Sequence, residues 1–216
     1  SDTNLRLIRT YRAVRDDIDG LLGRLDEMQK KHCHSYYYAV RSWEIDKTKH
    51  DADVAAWFIY LNKTCFNGLY RVNKKNQFNS PMGRYKNPKI CDIDNLRACH
   101  AHLQNVEILH SQFDYVYDKA SLQDFVYFDP PYIPVSSTAS FTAYTKDGFG
   151  LLQQNFLRDI ARDLKDRGVH VMLSNSECPL IYDLYEDGFN IDVIQVGRAI
   201  NSKASKRAAV GEVLIT

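Results

Sequence analysis

Apolar residues recur at helical spacing from the start of the chain. Leu5, Ile8, Tyr11, Ile18, Leu21, Leu22 and Leu25 draw one stripe, which predicts helix over residues 4–30. The polar run Lys30-Lys31-His32-Cys33-His34-Ser35 then reads as a polar helix end. A second helical stretch near 51–63 carries Val54, Ala55, Phe58, Ile59 and Leu61, with Asp51 as its N-cap. From Asn67 to Pro88 the chain is rich in Asn, Gly and Lys with interleaved aromatics, which suits an ordered loop or hairpin. Asp92 is placed to cap a further helix over 93–104.

Beyond that point strands and helices alternate. The pattern predicts a short strand at 106–109 and a buried strand at Phe125-Val126-Tyr127-Phe128. An amphipathic helix follows over 151–167 and stops at Gly168, then a buried strand at 169–173 and a short helix at 178–187. Strands at 191–196 and 212–216 complete the set. Such alternation means an α/β sheet with helices on its faces. Residues 31–91 do not fit it and read as an inserted domain, leaving 1–30 and 92–216 to form the main domain.

The chain of 216 residues is 44% hydrophobic and 25% charged, a composition that excludes disordered and low-complexity classes. No apolar run approaches the roughly 20 residues that span a bilayer. The charged N-terminus does not resemble a signal peptide. Five scattered cysteines without a CxxC pair read as reduced thiols of a cytoplasmic protein. Adjacent His32, Cys33 and His34 cannot by themselves close a tetrahedral metal shell, and His100, His102 and His110 read as surface or satisfied helix residues, so no metal is expected. The net charge of +1 says little, but its distribution says more. Residues 62–91 hold Lys63, Arg71, Lys74, Lys75, Arg84, Lys86 and Lys89 with no acid, and residues 197–209 hold Arg198, Lys203, Lys206 and Arg207 with none. An acidic body with two basic segments suits contact with a polyanion, or else two solvated loops.

The sharpest feature is Asp129-Pro130-Pro131-Tyr132, directly after the apolar strand. Open α/β sheets place ligands at the carboxyl ends of their strands. Two prolines cannot extend a ladder and fix the backbone direction there. The Asp129 carboxylate and Pro130 carbonyl can then accept both N–H bonds of an exocyclic amine, with the ring of a planar base stacked on Tyr132. Stacking of this kind is worth about 1–3 kcal/mol per base. An aromatic amine is a poor nucleophile, and fixed acceptors stabilise the charge that develops as it attacks.

These residues, with several other blocks in the same order, resemble the Dam-type DNA adenine-N6 methyltransferases. Asn67-Gly68-Leu69-Tyr70-Arg71-Val72-Asn73 looks like the family's NGLxRxN motif, and residues Phe78 to Lys86 are similar to the FNVPFGRYK stretch after it. Phe141-Thr142-Ala143-Tyr144 matches the FTAY block, Leu173-Ser174-Asn175 the strand end that lines the site, and Arg198 to Glu212 the RxI…E segment. The resemblance implies a Rossmann-like sheet of order 3-2-1-4-5-7-6 and methyl transfer from S-adenosylmethionine to N6 of a flipped-out adenine in double-stranded DNA, with GATC the expected site. The chemistry needs no metal, because the sulfonium already carries the activated methyl; no membrane partner is expected, and a monomer is. By the same resemblance Asp129, Pro130, Pro131 and Tyr132 are catalytic, and Asp2, Gln112 and Phe113, with Asp129, contact the cofactor. Phe66 and Asn67 sit where residues fill the gap left by the flipped base or touch its partner, and Arg71 where an arginine reads guanine O6 and N7. Lys74, Lys75, Arg84 and Lys86 are placed to hold phosphates. Leu69, Asn73, Pro81, Tyr85, Ser137, Thr138, Phe141, Tyr144, Arg198, Asn201 and Lys203 complete the implied DNA contacts.

One family feature is not found: the Gly-rich FxGxG turn after the first strand. Ser1-Asp2-Thr3-Asn4 looks like the end of the second strand, with Asp2 on the cofactor ribose. The expectation is therefore a partial record of a longer polypeptide, lacking roughly 40 to 60 residues, with a catalytically inactive DNA-binding remnant as the alternative reading.

Overall fold

Asp17 divides the long N-terminal stripe in two. In the computed structural model of the chain, which describes residues 1–134, 149–197 and 209–216, helix α1 (Leu5–Asp16) ends there and α2 (Ile18–Lys31) begins. The Asp17 N–H donates to the Ala13 carbonyl at 2.9 Å, while its carboxylate accepts from the Gly20 N–H at 3.2 Å. One residue thus closes one helix and caps the next. Gly20 makes this possible, since a Cβ there would lie 2.5 Å from the Asp17 oxygens.

Both helices belong to the first of two compact units, Ser1–Gln112 and Phe113–Thr216. In the first unit α4 (Asp51–Thr64) is the central element: Val54, Ala55, Ala56, Trp57, Tyr60 and Leu61 are all buried. His50, not Asp51, occupies its cap position. The Asp51 carboxylate instead takes the Arg9 guanidinium at 2.6 Å, and a charged tertiary partner outcompetes the cap. The run read as a polar helix end starts a new helix, α3 (His34–Arg41), which buries Tyr37 and Val40 against the same core. Helix α5 (Ile93–Leu103) follows Asp92, whose carboxylate accepts from the Asn95 N–H.

The expected strand at 106–109 does not form. Val106 and Glu107 are exposed, and the carbonyls find other donors. Arg15 donates to Val106 O at 2.7 Å, Arg12 to Ile108 O at 2.9 Å, and the Asp2 N–H to Leu109 O at 3.2 Å. Two arginines of α1 satisfy acceptors that a ladder would otherwise take.

The second unit is a mixed α/β layer. After the short helix α6 (Val116–Lys119) come β1 (Phe125–Phe128), α7 (Leu151–Asp166), β2 (His170–Ser176), α8 (Pro179–Tyr185), β3 (Ile191–Gly197) and β4 (Ala209–Ile215). The sheet order is β1-β2-β4-β3, with β1 parallel to β2 and β4 antiparallel to both neighbours. Gly168, at φ +80°, turns the chain from α7 into β2. Among the described residues β1 is an edge strand, and the expected buried strand is buried on one face only. Phe128 is 6% exposed and Tyr127 50%, because only one face packs on the core. That core gathers Leu157, Ile160, Leu164, Leu173, Ile181, Val213 and Ile215 from both layers.

Candidate functional site

The parallel register sets Phe128 opposite Leu173, which carries the chain past the strand end with Asp129 beside Ser174. The Ser174 hydroxyl donates to Asp129 Oδ1 at 3.0 Å and accepts from the Tyr127 phenol at 2.9 Å. Asp129 is exposed while Ser174 is buried. Past the prolines, the Pro131 carbonyl accepts from Gln154 Nε2 at 3.2 Å, and the Ile133 N–H donates to Asn175 Oδ1 at 2.9 Å. Consecutive residues of β2 point to opposite faces of the sheet, so Ser174 and Asn175 hold the turn from both sides. Tyr132 is half-buried, and its hydroxyl donates to Glu212 at 3.4 Å. Burial, above all, raises its phenol from the ordinary value, against a lowering hydrogen bond with Ser174; the nearby charges of Glu212 and Asp129 raise it further. The ring stays a neutral, partly open face beside an accessible carboxylate. Phe113 meets Phe128 edge-on at 6.4 Å between centroids and joins Phe149 and Phe156, forming an aromatic wall at the carboxyl end of the same strand.

The first unit carries the expected site residues up to Gln112. Phe66–Gly68 is a 3-10 turn in which Asn67 (φ 56°) and Gly68 (φ 62°) are both left-handed. The Phe66 N–H is tied to the Pro81 carbonyl at 2.8 Å. This geometry presents Phe66 and Leu69 to solvent, with Tyr85 also exposed. Arg71 is exposed and braced along one edge, with Nε donating to Asn79 Oδ1 at 2.7 Å and Nη2 to Asn79 O at 3.3 Å. Its Nη1 group takes part in no hydrogen bond among the described residues. The Asn73 side chain closes the hairpin tip, its Oδ1 accepting from the Lys75 and Gln77 N–H groups. Lys74, Lys75, Arg84 and Lys86 are exposed and have no ion-pair partner among the described residues. Asp2 forms a parallel bridge to His110, two positions before Gln112; its Oδ1 takes the Asn4 N–H, and the carboxylate is exposed, as is Gln112. Ser137, Thr138, Phe141, Tyr144, Arg198, Asn201 and Lys203 lie outside the described residues.

The hairpin depends on residues that the pattern did not single out. Arg6, 7% exposed, makes a two-point contact with Asp46 and also donates to the Tyr70 hydroxyl and the Asn76 carbonyl. Its guanidinium lies over the Trp57 ring. Ser80 donates to Leu69 O at 2.6 Å, and its own carbonyl accepts from Tyr37 and Arg41. Nothing local in the sequence marks Arg6, whose partners lie 40 to 70 positions away. Ser174 and Asn175 did carry a signal, since with Leu173 they matched the strand end that lines the site in the resembling family.

Among the described residues no three His, Cys, Asp or Glu side chains gather as a metal site, and no helix is long and apolar enough to cross a membrane. A family model for D12 class N6 adenine-specific DNA methyltransferases matches residues 1–200. The type II methyltransferase M1.LlaDCHI of Lactococcus lactis subsp. cremoris is 43% identical over 222 aligned positions, covering 100% of this chain and 78% of that protein. The type II methyltransferase M.MjaIII of Methanocaldococcus jannaschii is 44% identical over 220 positions, 96% of this chain and 75% of its own length. The DNA adenine methylase of Escherichia coli K12 is 34% identical over 99% of this chain and 77% of its own. An accessible carboxylate fixed at a strand end, next to a neutral tyrosine, accords with these relationships, and the chain belongs to the D12 class of N6 adenine-specific DNA methyltransferases.

Proposed function

We propose that the protein methylates N6 of an adenine turned out of duplex DNA, within GATC, and that Asp129 is the group on which the reaction turns. Inside a stacked duplex the amine cannot reach a strand-end pocket, and extruding the base costs a few kcal/mol. Stacking on Tyr132 offsets part of that cost, by about 1–3 kcal/mol. The Asp129 carboxylate and the Pro130 carbonyl accept the two N6 hydrogens, which favours a tetrahedral nitrogen whose lone pair is no longer delocalised into the ring. As the new N–C bond forms, positive charge grows on N6, and the fixed carboxylate stabilises it. The proton that N6 must lose is already directed at Asp129. S-adenosylmethionine, when bound, supplies the methyl group on a sulfonium that needs no metal to activate it. By the resemblance, Asp2 would take the ribose hydroxyls and Gln112 and Phe113 the adenine; in the first unit Asp2 and Gln112 are exposed, and in the second Phe113 packs against Phe128, Phe149 and Phe156.

The sheet order supports the same reading, since β1-β2-β4-β3 corresponds to the 4-5-7-6 end of the order expected for these enzymes. We assign residues 31–91 to DNA recognition. Phe66 and Asn67 fill or touch the vacated stack, Arg71 reads guanine through its Nη1 edge, and the exposed lysines hold phosphates. The observation that carries the proposal is the accessible, hydroxyl-tethered carboxylate of Asp129. Labelled S-adenosylmethionine and a GATC duplex test it. Asp129→Ala is expected to abolish incorporation, by at least about a thousand-fold, while duplex binding persists. Transfer by that variant, or binding without incorporation by the unaltered protein, overturns it.

A further inference from the structure

Tyr127, Ser174 and Asp129 form a one-way hydrogen-bond chain whose direction is fixed by valence. A strand places residues i and i+2 on one face, so Tyr127 and Asp129 share a face with Ser174 lying between them on β2. An ionised carboxylate only accepts hydrogen bonds, so the Ser174 proton must point to Asp129 Oδ1. Serine has no second proton to give, so the Tyr127 phenol must donate to Ser174. Ser174 is 4% exposed, and its hydroxyl is held away from water between Tyr127 and Asp129, with the Tyr132 phenol close by as a further polar neighbour. Among the described residues Asp129 Oδ2 takes no hydrogen bond, and Asp129 itself is exposed. Among the described residues, one carboxylate oxygen is tethered and the other is not.

We propose that Ser174, backed by Tyr127, is a positioning residue that locks the Asp129 carboxylate so that Oδ2 faces the adenine amine. The inference rests on the assignment of Asp129 as the amine acceptor. The terminal torsion of an aspartate is broad and close to two-fold, so an untethered carboxylate would sweep through orientations of which few align with an N–H bond. Misalignment at the reacting nitrogen slows the chemical step and leaves ground-state binding of DNA in place, because that binding comes from phosphate contacts and the recognition hairpin.

Single-turnover methyl transfer to a GATC duplex is measured with labelled S-adenosylmethionine for the protein and five variants: Asp129→Ala, Ser174→Ala, Ser174→Thr, Tyr127→Phe, and the double change at 127 and 174. Ser174→Ala is expected to slow transfer about ten-fold with KM for the duplex within about two-fold. Ser174→Thr, which keeps the hydroxyl, recovers most of the rate. Tyr127→Phe slows transfer about three-fold, and the double variant is no slower than Ser174→Ala alone, because Tyr127 acts through Ser174. Tyr127 is half-exposed, so its variant tests the relay even if a larger residue at 174 disturbs folding. The proposal is overturned if Ser174→Ala transfers at the unaltered rate, or if the double variant shows the product of the two single effects. Methylation by Asp129→Ala would instead remove the assignment beneath it. An inactive Asp129→Ala alongside a fully active Ser174→Ala would remove the relay alone.

Discussion

Arg6 shows how much one side chain contributes when its partners come from three parts of the chain. It links α1 to Asp46 before α4, to Tyr70 in the recognition segment and to the hairpin tip at Asn76. Asp46 is 56% exposed at its side chain, so water and salt weaken the pair, and Arg6 is buried with its donors used, so losing the carboxylate still leaves a charge poorly compensated. Asp46→Asn is expected to cost about 1–3 kcal/mol at neutral pH. The Arg6 hydrogen bond, first, holds the Asp46 carboxyl below its ordinary value of 3.8. A depressed acid stabilises the fold above its unfolded pKa and loses that contribution as pH falls through its folded value. Urea midpoints of the protein and Asp46→Asn should therefore differ at neutral pH and converge in acid below 3.8. A gap that persists there would show that the pair does not act through ionisation.

At the scale of elements, packing at one glycine is as demanding as any helix contact. The Gly83 N–H donates to the Thr64 carbonyl at 2.8 Å, at the C-terminal end of α4. A Cβ at Gly83 would meet the Tyr85 ring and would stand 2.8 Å from the Cys65 carbonyl oxygen. The ring can swing but the carbonyl is fixed, so Gly83→Ala should cost about 1–3 kcal/mol in urea denaturation. It should also weaken duplex binding by displacing Tyr85, and unchanged stability would show that the hairpin base is loose. Helix α7 was legible because its apolar period and Gly168 both bear on a local choice. The break at Asp17 was not, since the apolar stripe runs through it and only the turn to Gly20 reveals the cap. Val106 to Leu109 had strand composition, yet arginines from a distant helix took the carbonyls. The turn after β1 was legible in identity but not in mechanism: the prolines announce a rigid corner, while the hydroxyl that steers Asp129 arrives from a strand 45 positions later.

For the whole molecule, the net charge of +1 conceals a separation that matters more than its sum. The hairpin segment holds its bases away from acids, and Lys74, Lys75, Arg84 and Lys86 stand exposed, while Lys89 is drawn to Asp92 at 2.7 Å. A lysine already paired adds little to counterion release, whereas an unpaired one replaces a condensed cation on the duplex. Lys86→Ala should therefore weaken binding to all duplexes alike and reduce the slope of log K against log salt by about 0.9. Lys89→Ala should change the slope much less. Arg71 is proposed for a different role: its guanidinium is braced by Asn79 along one edge, and the proposed reading gives the remainder to a base. Arg71→Ala should lower preference for GATC over a duplex altered at its guanine by about 1–3 kcal/mol. Binding isotherms over a salt series, run on both duplexes, separate the two kinds of contact. If Arg71→Ala and Lys86→Ala shifted the cognate and altered duplexes equally, the hairpin would be an electrostatic grip alone, and sequence choice would have to reside elsewhere.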